Sequence, residues 1–172
     1  TTTLNPVDFN RDDYDLAIEV LADGAQAPGL ASDEFLAVDT FPVCSPILAE
    51  NIREPNALAG HTLLHSGPRP TDWRRWLTAA GLPSLTGARD LRFESLNLAI
   101  QAAIEGIGVA IGIGVLVHED LQQGRLVRPF TMARRSEHPF RIVYRAGKAQ
   151  DGRLAAFRDW LLEEAAADQL SP

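Results

Sequence analysis

Apolar residues recur along this chain in short unbroken runs and in helically spaced sets, and the two kinds alternate. The segments Asp15–Val20, Phe35–Val38 and Phe41–Cys44 read as extended chain. Pro42 has no N–H to give a ladder, which predicts an edge, a bulge or a crossing segment at that point. Ser45-Pro46 reads as a helix start, with the serine as cap and the proline at the first helical position. Thr62–His65, Leu91–Phe93, Val109–Ile111 and Phe140–Tyr144 are predicted strands, the apolar runs among them buried.

Helical spacing appears between them. Thr71 caps a helix carrying Trp73, Trp76, Leu77 and Ala80, stopped by Gly81 and Pro83. Ser95 caps another, with Leu96, Ala99, Ile100, Ala103 and Ile107 as its apolar face and an end near Gly106. Val115–Leu121 is a short helix. A last one, from about Gly152 to Ala167, places Leu154, Phe157, Leu161 and Ala165 on one face. Strands that alternate with helices predict an α/β protein with a largely parallel or mixed sheet.

Composition narrows the function. The 172 residues carry 16 basic and 23 acidic side chains, a net charge of −7 and a pI near 5.0. Nucleic-acid affinity rests on neutralised phosphates, so this balance argues against direct DNA or RNA binding. Residues 1–60 hold eleven acids and two bases, whereas the remainder holds twelve and fourteen. An acidic first part therefore faces a slightly basic second. The single cysteine, Cys44, excludes an internal disulfide and a cysteine-rich zinc site. No apolar run reaches the roughly 18 residues of a membrane span. The first residues lack the basic-then-apolar plan of a signal peptide, which makes the cytoplasm the expected compartment.

Tests for catalytic and metal chemistry return little. Gly106-Ile107-Gly108 through Gly112 has the wrong spacing for a dinucleotide loop, and it leaves a helix to enter a strand. His61 and His65 fall in a strand, which separates i and i+4 by about 13 Å. Asp8, Asp12, Asp13 and Asp15 lack the glycine and distal glutamate of a calcium loop. No Gly-x-Ser-x-Gly elbow exists, and Cys44 has no nearby histidine in sequence. The expectation is no catalytic residue, no cofactor and no metal. What stands out is Ser95, at a helix start directly after a strand, where open α/β sheets bind ligands and free amides favour an anion.

Taken in order, several segments resemble the effector-binding region of LysR-type transcriptional regulators, in the branch of the glycine-cleavage activators and β-lactamase regulators. They are Asp15-Leu16-Ala17-Ile18, Pro42-Val43-Cys44-Ser45-Pro46, Thr62-Leu63-Leu64-His65, Asp72–Leu77, Phe93-Glu94-Ser95 with Gln101-Ala102-Ala103 and Gly106–Ala110, Leu121–Phe130, and Phe157-Arg158-Asp159-Trp160-Leu161. The resemblance implies two Rossmann-like α/β subdomains, similar to type 2 periplasmic binding proteins, joined by two crossing segments. The first would comprise residues 1–38 plus 145–172 and the second residues 39–144, with crossings near Asp39–Phe41 and Ile142–Arg145. It implies a small-molecule effector held between the lobes, a homodimer or tetramer, and no membrane. DNA would be reached only through an N-terminal winged helix-turn-helix that this chain, beginning near the end of the second strand, does not include.

By the same resemblance the effector-binding residues are Thr2 or Thr3, Glu19, Ser95 and Phe140. Many relatives carry Arg where this chain has Glu19, and that exchange favours a small polar effector that is zwitterionic or cationic. A solute-binding protein or enzyme of similar fold is the alternative. It would require an export signal or a nucleophile–base pair.

Overall fold

The computed structural model describes residues 7–21 and 25–169. In chain order the elements are β1 (Leu16–Val20), β2 (Leu30–Leu36), β3 (Asp39–Val43), α1 (Pro46–Ala49), β4 (Thr62–Ser66), α2 (Asp72–Ala79), β5 (Arg89–Phe93), α3 (Leu96–Ile104), β6 (Val109–Ile113), α4 (Gly114–Gln122), β7 (Arg134–Arg135), β8 (Phe140–Arg145) and α5 (Gly152–Gln169). They form two units. One holds Asp39–Arg135; the other holds the chain up to Val38 and again from Ser136.

The Asp39–Arg135 unit is built on a five-stranded mixed sheet of order β5-β4-β6-β3-β7. β4 runs parallel to β5 and β6, while β3 is antiparallel to β6 and β7. Helices cover both faces, so adjacent residues of one strand enter different cores. Leu64 and Ala110 join Ala99, Ile100 and Ala103 of α3 on one side. Leu63, Val109 and Ile111 join Trp73 and Trp76 of α2 on the other. Trp76 is fully buried and stacks on Phe130 with centroids 5.5 Å apart. Each tryptophan N–H in this layer reaches a carbonyl, Trp73 Nε1 donating to Leu64 O at 3.0 Å and Trp76 Nε1 to Met132 O at 3.4 Å.

Local chemistry explains the element ends. Ser95 has extended φ/ψ and its Oγ accepts from Leu98 N at 3.3 Å. Ser45 and Thr71 occupy cap positions, but their hydroxyls make no cap bond. Gly106 ends α3 at φ +75°, with Gly106 N–H donating to Ala103 O and Ile107 N–H to Ala102 O. That turn carries Ile107 away from the helix face predicted for it, and it is 51% exposed. Pro42 lies inside β3, paired with Ile111 of β6 on one side and beyond the reach of β7 on the other, a local edge. Its nitrogen points the same way as that of Cys44, which donates to Val127 O, and β7 pairs only with Asp39 and Thr40. The missing donor thus faces the gap that the two-residue β7 leaves.

The other unit carries a three-stranded sheet, β1-β8-β2, antiparallel throughout its described residues. Its character departs from the largely parallel expectation because β1 and β2 both flank the returning β8. The return itself falls between Arg135 and Ser136, not near residues 142–145. All of β8 belongs to this unit, its register running from Leu16↔Tyr144 to Val20↔Phe140 on one side and from Leu30↔Arg145 to Leu36↔Phe140 on the other. Leu154 of α5 packs on Ile142 and Tyr144. Phe157 is not on that buried face; it is 51% exposed and stacks on the equally exposed Trp160.

One close approach is specific to glycine. A Cβ on Gly108 would stand 2.4 Å from Thr62 O, a backbone atom that moves only with β4, whereas a Cβ on Gly60 meets nothing within 4 Å. Gly108→Ala should destabilise the Asp39–Arg135 unit by about 1–3 kcal/mol while Gly60→Ala stays near wild type, read as urea midpoints followed by tryptophan fluorescence.

Candidate functional site

The order β5-β4-β6 creates a topological switch. From β4 the chain passes through α2 to β5 on one side; from β5 it passes through α3 to β6 on the other side of β4. In open α/β sheets the crevice for ligands lies outside the carboxyl ends of strands at such a point. Here that end is Ser66, the last residue of β4. Gly67 N–H donates to Phe93 O at 2.8 Å and ties the ends of β4 and β5 together just before Ser95 opens α3.

A crevice of about 10 Å³, room for about one water-sized group, lies at this end. Ser66, Arg69, Asp72, Trp73, Leu96 and Ala99 line it with His65 at one side. Arg69 forks onto Asp72, Nε to Oδ2 at 2.5 Å and Nη2 to Oδ1 at 3.1 Å, so these two charges offset each other. His65 Nε2 is 2.8 Å from Asp90 Oδ1. Ser66 is 6% exposed, and its Oγ has no hydrogen-bond partner. Sequence inspection missed Ser66. Nothing in a strand-terminal serine signals that its hydroxyl is orphaned.

The expected site residues divide between the two units. Ser95 begins α3 in the Asp39–Arg135 unit and serves as a working cap. Glu19 and Phe140 belong to the other. Glu19 stands opposite Arg141, and its Oε1 accepts from Val7 N at 2.8 Å. Phe140, half-buried, stands opposite Val20 and Leu36. Paired residues share a face and neighbours alternate, so Glu19 and Phe140 point to opposite faces of their sheet. Thr2 and Thr3 lie outside the described residues.

The titrating groups do structural work. Tyr144 is buried, its O–H donates to Asp33 Oδ2 at 2.8 Å, and Arg158 Nη1 donates to the phenol oxygen at 3.2 Å. Burial first, and then Asp33, hold this phenol above its ordinary range. Burial pushes the Cys44 thiol up to about 11, which suppresses the thiolate that nucleophilic chemistry needs. Among the described residues no group of three His, Cys, Asp or Glu gathers where it could hold a metal ion. Likewise no described helix is long and apolar enough to cross a membrane. The arrangement offers an unpaired buried hydroxyl beside a helix start, and it contains no activated nucleophile among these groups.

Fold and site therefore define an α/β ligand-binding protein of the two-subdomain, periplasmic-binding-protein-like class. A sequence profile of the LysR substrate binding domain matches residues 2–166, and the chain belongs to that family. It is 37% identical over 161 residues to the glycine cleavage system transcriptional activator of Escherichia coli K12, covering 92% of this chain and 52% of the relative. It is 29% identical over 169 residues to the transcriptional activator AmpR of Pseudomonas aeruginosa, covering 98% and 56%. The chain thus spans about half the length of the curated relatives it matches. The solved effector domain of the P. aeruginosa AmpR superposes with a TM-score of 0.83 at 30% identity, covering 98% of this chain and 80% of that one. The Citrobacter freundii AmpR effector binding domain gives 0.81 at 25%, covering 97% and 82%. The chain is an effector-binding domain of the LysR type.

The buried thiol has a measurable consequence. Below pH 9.0 it is neutral in both folded and unfolded chains; between 9.0 and about 11 only the unfolded chain ionises. Stability should be intact below that window and fall within it by about 1.4 kcal/mol per pH unit from this group. Cys44→Ala should remove that part of the slope, leaving the phenol of Tyr144 to act higher up; urea unfolding from pH 8 to 11 measures both.

Proposed function

We propose that this chain is the sensor of a LysR-type transcriptional regulator, taking up a small polar metabolite and passing its occupancy to a DNA-binding domain of the full-length protein. The family match over residues 2–166, combined with relatives about twice as long, carries this reading. The physics is a population shift. A ligand that binds one conformation better than another biases the two by its differential affinity, and no bond need be made or broken. Such a pocket needs shape and a few polar groups, which the end of β4 supplies without a reactive pair. The chain is accordingly no enzyme, works in the cytoplasm and assembles as a homodimer or tetramer.

By the family resemblance Ser95, Glu19 and Phe140, with Thr2 or Thr3, are the candidate effector contacts; Glu19 and Phe140 point to opposite faces of their sheet, so one ligand on one face would meet only one of the two. A glutamate at that position of the resemblance favours a zwitterionic or cationic metabolite over a simple anion. The net charge of −7 leaves phosphate contacts to the DNA-binding part.

A thermal-shift screen over amino acids, organic acids and amines tests the proposal, since a ligand bound only to the native state raises stability by mass action, about 2.7 kcal/mol at a hundredfold excess over Kd. At least one metabolite should shift the midpoint. Glu19→Arg should move the preference toward organic acids by about tenfold; a preference that does not move would remove Glu19 from the site.

A further inference from the structure

The unpaired hydroxyl at the end of β4 calls for a ligand atom. Buried polar groups are nearly always hydrogen-bonded, and an orphan costs the desolvation it is not repaid for. Ser66 is more than nine-tenths buried, and its Oγ is the buried side-chain atom without a partner among the described residues. Side chains alternate along β4, so Ser66 follows Leu64 on the face covered by α3. It therefore lies under the start of that helix. Leu96 and Ala99, from the first turn of α3, line the same crevice, which admits about one oxygen-sized group. α3 is nine residues long, and Ser95 Oγ takes the Leu98 N–H; the first amides of a helix have no partner within the helix itself.

All the uncommitted donors here point one way. A serine O–H can donate, the first amides of α3 can only donate, and the helix dipole adds positive potential. The polar side chains beside them are already engaged, Arg69 with Asp72 and His65 with Asp90. We propose that Ser66 and the N-terminus of α3 form the subsite for a carboxylate of the effector, with Ser66 Oγ donating to one carboxylate oxygen. This rests on the sensor reading and narrows its ligand to a small carboxylate-bearing molecule. Short-chain α-amino acids are the simplest probes of that class.

Two measurements on this chain test it, in buffers free of carboxylates. The first needs no ligand. Ser66→Ala should leave the thermal midpoint of the empty protein unchanged or raise it by up to about 3 °C, because an unpaired hydroxyl is removed. A fall of several degrees would mean that the hydroxyl is satisfied internally, and would overturn the subsite. The second is calorimetric titration with short-chain α-amino acids, the matching amino amides and the matching primary amines. An amino acid should bind wild type at least tenfold more tightly than its amide, and Ser66→Ala should lose about tenfold in amino-acid affinity, or 1.4 kcal/mol, while amide affinity stays the same. Amides or amines that bind as well as the acids, with Ser66→Ala indifferent, would overturn the subsite and leave the sensor reading standing. Binding by none of the three classes would overturn the subsite, and an equally silent screen of all metabolites would overturn the sensor reading too.

Discussion

Burial of β4 and β6 on both faces is the constraint from which the Asp39–Arg135 unit follows. Parallel strands covered by helices on each side must be apolar at successive positions, and Leu63, Leu64, Val109, Ala110 and Ile111 are. Once both faces are sealed, the strand ends are where backbone and side-chain polar groups can meet a ligand. The alternation of Leu63 toward the tryptophans and Leu64 toward α3 continues to the end of β4, and it delivers Ser66 beneath a helix N-terminus. The same packing fixes Gly108, where α3 must turn back within contact of β4.

The other unit solves a different problem with the same chain. Its described sheet is antiparallel, and its central strand comes from beyond the second crossing. β1 and β2 depend on β8 for their ladders, and Leu154 and Ala165 of α5 contribute to the buried surface. The polar knot of Asp33, Tyr144 and Arg158 ties β2, β8 and α5 through bonds of 2.8 and 3.2 Å. A buried phenol with both an acceptor and a donor in reach is satisfied, and so it is architecture. Cys44, buried and held as a thiol, is inert for the same kind of reason. Ser66 is the contrast, buried and unanswered.

The sequence by itself determined the order and kind of nearly every element, because local physics decides these. Period two against period 3.6 separates strand from helix; Ser95 ahead of an apolar set marks a cap, and Gly106 after it marks the end. Segment order was also enough for the LysR resemblance. Ser95 was legible as a helix cap because a strand followed by a capped helix is written in adjacent residues.

Only the tertiary structure decided what depends on partners remote in sequence. The second crossing moved to Arg135–Ser136 because strand membership is set by which ladder β8 joins, and both of its partners lie more than a hundred residues earlier. Phe157 and Ile107 left their expected faces because helical spacing gives an angle but not what lies opposite it. Glu19 and Phe140 were separated to opposite faces by register, a quantity fixed by pairing. Whether the hydroxyl of Ser66 finds a partner depends on α2, α3 and β5 arriving together. No window of sequence contains all three, and so the one buried side-chain atom without a partner among the described residues became visible only once the chain was folded.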